Sequence, residues 1–222
     1  MENKLKKILE YFISKQFQYA IEEDYEMLFF TKEENDTKKC IQIEYRNLGT
    51  DIRLGAGTTA YVEINKVEII LKKITKEEKH YNYTISGVVG VEKSGYMLDD
   101  FFYIKNEKDI DDYISKLDVY YQSHIAPFFE AVPTLQSFND EVLSVVSFDD
   151  YYDYLSGEVG LKAMIIMHLC KNPLYDKYIL YREEDFKNSP YLHNPESRYH
   201  KISKQSYDEF NKFKEMVTKG EI

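Results

Sequence analysis

The apolar residues of this chain keep a helical period at its start, a strand period after that, and a helical period again to the end. That order constrains the fold more than any motif. Leu5, Ile8, Leu9, Phe12 and Ile13 fall at i, i+3, i+4, i+7 and i+8, which predicts an amphipathic helix over 3–15 with Asn3 as its N-cap. From about residue 17 the period becomes two. In "CIQIEYR", Ile41, Ile43 and Tyr45 alternate with Gln42, Glu44 and Arg46, the pattern of a half-buried antiparallel strand. "YEMLFFT" reads as the strand before it, with the polar "KEENDTKK" as the hairpin loop. "TTAYVEINKVEIILKKI" continues the meander. Its apolar parity flips between Ile64 and Val67, so a bulge or a two-residue turn is expected at Asn65-Lys66. "YNYTISGVVGV", bent at Gly87 and Gly90, and "FFYI" at 101–104 complete the strands.

The 3.6-residue period returns over 109–125, where Ile110, Ile114, Leu117, Tyr121, His124 and Ile125 share a stripe and Pro127 is expected to kink or end the helix. Short helices are expected after Pro133 and over 148–155, then longer ones over 160–170, 173–187 and 204–218. Asn172-Pro173 is a start signal, and Tyr207, Phe210, Phe213 and Val217 form the last stripe. Segregated runs of this kind give an α+β fold: an N-terminal helix, an antiparallel β-meander sheet, then a C-terminal set of helices packed on the sheet. Residues 1–222 read as one domain. The point of subdivision, if the chain has one, is "AVPT", between a sheet-bearing 1–132 and a helical 133–222.

Charge is unevenly placed. The net charge is −10. Residues 1–80 carry 14 basic and 15 acidic side chains, 81–160 carry 4 and 15, and 161–222 carry 11 and 9. The middle third holds the whole excess, which argues against nucleic acid and for a basic protein partner. The start is charged throughout, with no apolar leader, and no apolar run is long enough to span a membrane, so the chain reads as cytoplasmic. The 25 lysines against 4 arginines are the usage of an AT-rich, bacterial genome.

Chemistry-bearing motifs are weak. "RLGAGTTAY" lacks the Lys-Ser/Thr of a phosphate loop and reads as a bulge or turn. His168 and Cys170 are two apart and face different sides of an apolar helix. The acidic doublets Asp99-Asp100, Asp111-Asp112 and Asp149-Asp150 read as solvent-facing. No pattern for a metal or a cofactor is present. Two stretches stand out. The loop 188–203, "NSPYLHNPESRYHKIS", displays His193 and His200 as candidate acid–base groups and Arg198 and Tyr199 as candidate ligand-binding groups, a combination suited to an anionic ligand or a small enzyme. The other is "SFDDYYDYLSGE", 147–158. On an α-helical wheel Phe148, Tyr151, Tyr152 and Leu155 form its buried stripe, with Ser147 and Asp150 as a capping box. Asp149, Asp150, Asp153 and Tyr154 lie opposite and are the candidate partner-binding residues.

The short N-terminal helix, the meander containing "CIQIEYRNLGTDIRLG" and the helix ending "HIAPFFEAV" together resemble small bacterial α+β proteins of the polymorphic-toxin immunity type, over residues 1–140. That resemblance implies a non-catalytic protein that binds and neutralises a cognate toxin. It carries no functional residue onto this chain.

Overall fold

A computed structural model describes residues 2–75, 83–91, 100–132 and 134–222. The chain has an N-terminal helix, an antiparallel sheet and then helices, an α+β protein. It forms two compact units, Met1–Glu63 with Ile85–Thr134, and Ile64–Thr84 with Leu135–Ile222.

In the first unit, α1 (Glu2–Ser14) lays Leu5, Ile8, Leu9 and Phe12 into the core, and Phe12 stacks on Phe30 with ring centroids 4.0 Å apart. The helix begins at Glu2, so Asn3 lies inside it and is not its cap. Strands β1 (Gln18–Glu22), β2 (Met27–Glu34), β3 (Thr37–Asn47), β4 (Ile52–Ile64) and β5 (Phe102–Ile104) form one sheet in that order. Ile41, Ile43 and Tyr45 are buried and Glu44 and Arg46 exposed, as their alternation requires, but Gln42, expected on the polar face, is buried too. The β2–β3 register runs to Glu34 opposite Thr37, which leaves only Asn35-Asp36 as the turn. Asn35 takes φ 55°, a left-handed conformation that asparagine tolerates, so the loop is far shorter than "KEENDTKK". "RLGAGTTAY" is uninterrupted strand, not a turn. Gly55 is needed because a Cβ there would lie 3.0 Å from Glu44 Cβ on β3.

Two expectations fail because a break in periodicity does not say which structure follows. The parity flip at Asn65-Lys66 is the start of a helix, α2 (Asn65–Ile74), whose Val67, Ile70, Leu71 and Ile74 are buried at i, i+3, i+4 and i+7. Residues 83–91 make isolated bridges, Val62 to Ile85 and Val88 to Val91, in place of a strand; the start of that expected strand lies outside the described residues. The expected disturbance at Pro127 takes the form of a π turn, and the helix does not end there. α3 (Glu107–Tyr120) passes through a π turn over Tyr121–Ile125, with Ala126 N–H bonded to Tyr121 O, into α4 (Ala126–Ala131). The wide turn precedes the residue that lacks an N–H, and the helix resumes with Pro127 in its first turn.

The second unit adds α5 (Leu135–Phe138), α6 (Val159–Leu169), α7 (Tyr175–Asn188) and α8 (His200–Thr218) to α2. Nearly all of α6 is buried, including Met164, Ile165, Ile166 and Met167. In α8, Phe210 and Phe213 are buried whereas Tyr207 is partly exposed. Lys212 Nζ donates to the carbonyls of Lys73 (2.5 Å) and Ile74 (3.0 Å), placing a cation on the unsatisfied C-terminal end of α2.

Candidate functional site

The stretch 148–153 is a 3₁₀ helix, not an α-helix. At three residues per turn Phe148, Tyr151 and Tyr154 align, and Tyr152 leaves the stripe that an α-helical wheel assigns it. Tyr151 is accordingly fully buried, and Tyr152 is 66% exposed. Ser147 makes no side-chain cap, so the expected capping box is absent. The turn is fixed from below. Tyr151 Oη donates to Leu143 O at 2.6 Å, and Phe148 packs on Tyr178 and Tyr181 at centroid distances of 5.0 and 5.4 Å. Tyr181 Oη donates to Asp149 Oδ1 at 2.5 Å; that bond, with burial, pushes the phenol up to about 12.

Asp149, Asp150 and Asp153 are exposed around Tyr152, and Tyr154 is half-buried. Among the described residues none of the three carboxylates has an ion-pair partner; Lys177 lies over the Phe148 ring at 5.9 Å. Asp111 and Asp118 of the first unit differ. Asp111 meets Lys7 at 2.7 Å. Asp118 accepts from Tyr11 (2.8 Å) and Lys15 (3.2 Å), bonds that hold its carboxyl below the usual range.

The loop after α7 covers 189–199, because α8 begins at His200 instead of 204. It closes one end of a groove of about 710 Å³ between α7 and α8, whose lining includes His193 and His200. His193 Nε2 lies 3.0 Å from Lys187 O, and His200 Nδ1 lies 3.1 Å from Tyr191 O. Arg198 does not line the groove. Its guanidinium lies over the Tyr199 ring and donates to the Tyr199 hydroxyl. The predicted loop candidates therefore separate, with the histidines at the groove and Arg198 and Tyr199 together outside its lining.

One cluster was invisible in the sequence. Lys162 sits on the otherwise apolar α6 with its side chain 1% exposed. Its Nζ lies 3.0 Å from Glu68 Oε1 and donates to Tyr83 O at 2.6 Å. Thr84 Oγ1 donates to the same Glu68 oxygen at 2.5 Å and accepts from Ile64 N–H at 3.0 Å. The arrangement is buried and joins α2, α6 and residues 83–84, with Glu68 Oε2 left without a hydrogen-bond partner among the described residues. A lone lysine in "GLKAMIIMHLC" and a glutamate in "NKVEIILKK" were the only traces.

His124 stacks on Tyr120 at 4.7 Å, and His168 Nε2 lies 3.3 Å from Ile222 O. Burial pushes the Cys40 and Cys170 thiols up to about 12 and about 11. Among the described residues no group of three or more His, Cys, Asp or Glu could hold a metal, and no helix is long and apolar enough to cross a membrane. Compared with protein-family models, curated proteins and solved structures, the chain matches none.

Proposed function

We propose that this chain is a binding protein that engages a basic protein partner through the acidic turn at 148–154, in the manner of an immunity protein that neutralises a toxin. One observation carries the reading: three carboxylates without cationic partners surround one exposed tyrosine on an aromatic base. Carboxylates held close together without counter-charge repel each other, and a cationic surface relieves that repulsion. The tyrosine offers a large amphipathic area with few torsions to freeze, the kind of anchor that dominates interface energetics. Since the turn is already packed against Tyr178 and Tyr181, docking would order little that is not already ordered. The same charge would repel nucleic acid.

The test compares wild type with the D149N/D150N/D153N variant and with Tyr152→Ala. Affinity capture from cell extract is followed by association kinetics on the purified partner. The expected partner has a basic surface. Its association slows by about tenfold in the triple variant and again between about 0.05 M and about 0.5 M salt, while Tyr152→Ala mainly speeds dissociation. A partner recovered equally by all variants, or one indifferent to salt, overturns the reading.

A further inference from the structure

The α7–α8 groove is the one described cavity in which basic side chains and an aromatic floor come together with both loop histidines. Phe186 lies in its wall 5.3 Å edge-on from Tyr207 and 5.2 Å from Phe210, and Leu192 adds a further apolar contact. The charged groups come from every surrounding element. α7 supplies Glu183 and Lys187, the loop supplies His193, and α8 supplies His200, Lys204, Asp208 and Lys214. Lys214 is engaged by Glu183. Lys187 and Lys204 have no ion-pair partner among the described residues. Cationic charge is therefore in excess even with both histidines neutral.

The histidines have defined tautomers. A carbonyl oxygen only accepts, so the ring nitrogen facing it must carry the hydrogen: Nε2 in His193 and Nδ1 in His200. When the rings are neutral, the opposite nitrogens, His193 Nδ1 and His200 Nε2, are lone-pair acceptors that cannot bond an oxyanion. Protonation turns each into a charged N–H donor while the bond to the carbonyl persists. Uptake of an anion in the groove is thus linked to uptake of protons.

We infer that this groove binds a small aromatic anion, its ring on Phe186, Tyr207 and Phe210 and its acid group among Lys187, Lys204 and the two histidines. A volume of about 710 Å³ suits one small molecule, within the roughly 300–1,000 Å³ of such sites. The aromatic floor gives an inorganic anion little to gain, and the lysines have no counterpart on a neutral ring. The site does not depend on the acidic turn.

Anilinonaphthalene sulfonate is the probe, because it joins an aromatic body to a permanent negative charge and brightens when its rings leave water. Saturable binding by one equivalent is expected, tightening by about tenfold from pH about 8 to pH about 6 because anion uptake is linked to proton uptake. The K187A/K204A variant should weaken it by about tenfold or more, consistent with the loss of charge-assisted contacts. Lys201→Ala, on α8 outside the groove, should leave it unchanged, and the uncharged phenylnaphthylamine and inorganic sulfate should bind far more weakly. Lys187 and Lys204 are both exposed, so thermal melts of the variants should overlay wild type. No saturable binding, equal affinity at the two pH values, or equal affinity in K187A/K204A overturns the inference.

Discussion

Lys162→Met isolates the energetics of the second unit. In the native chain Nζ satisfies Glu68 and the Tyr83 carbonyl at 3.0 and 2.6 Å, and both charged side chains are at most 2% exposed. Methionine keeps the stem volume and removes the charge. Among the described residues Glu68 then keeps only the Thr84 hydroxyl as support for a buried carboxylate, and Tyr83 O loses the bond from Lys162. Breaking a buried pair from one side costs about 3–5 kcal/mol, because an uncompensated charge stays in an apolar setting. With a urea slope of about 2 kcal/mol/M, the midpoint should fall by about 2 M with the slope unchanged. The double variant E68M/K162M removes both charges and leaves only Thr84 and Tyr83 short of one partner each, a loss of about 1–2 kcal/mol. It should therefore regain about 2–3 kcal/mol over Lys162→Met. Urea denaturation followed by circular dichroism measures both. A cost below about 1 kcal/mol for Lys162→Met, or a double variant no more stable than the single one, would refute the reasoning.

Further outcomes follow from single groups. Asp118 is held low chiefly by its bond from Tyr11, and Glu34 chiefly by its bond from Lys39. Carboxyls depressed by folding add stability that is complete above the ordinary carboxylate range and lost as pH falls through their lowered values, so the first unit should weaken below pH about 4. Urea midpoints measured down to pH about 2.5 should show a shallower fall in a Lys15→Ala/Lys39→Ala variant. Cys170, raised to about 11 by burial, should react with iodoacetamide at pH 7.5 on the order of 100-fold more slowly than a free thiol; mass spectrometry of timed alkylation checks it. Gly55→Ala must push Glu44 on β3 aside and should cost about 1 kcal/mol or more in a thermal melt. Lys212→Ala, by uncapping the carbonyls of Lys73 and Ile74, should cost about 1 kcal/mol by urea titration.

The elements with sustained periodicity were readable because one face of each meets a core. Leu5, Ile8, Leu9 and Phe12, then Ile41, Ile43 and Tyr45, and Phe210 with Phe213 are buried as their spacing demands, whereas Ile13 at the end of the first stripe is 49% exposed. Short elements were not readable at the same level. Four apolar residues over 148–155 fit an α-helical wheel, yet the turn is 3₁₀, and the shift from 100° to 120° per residue moves Tyr152 from core to solvent. Asp149, Asp150 and Asp153 are exposed, and the tyrosine exposed beside them is Tyr152, with Tyr154 half-buried. The loop histidines reached a groove and Arg198 did not, a distinction that depends on which way a side chain turns after the backbone is placed.

The sequence by itself determined the order of elements, the α+β class and the imbalance of charge along the chain, since these rest on local periodicity and on counting. Tertiary structure alone decided where charge is paired, buried or left open. Lys162 and Tyr83 are 79 positions apart, and nothing near either residue announces the other. A buried ion is tolerable only where distant segments converge to solvate it, and that convergence is a property of the folded chain, not of any window along it. The acidic turn and the α7–α8 groove follow the same rule. Their residues were visible as types, but the carboxylates without ion-pair partners, the open lysines Lys187 and Lys204 and the tautomer-defined histidines exist only once their neighbours are in place.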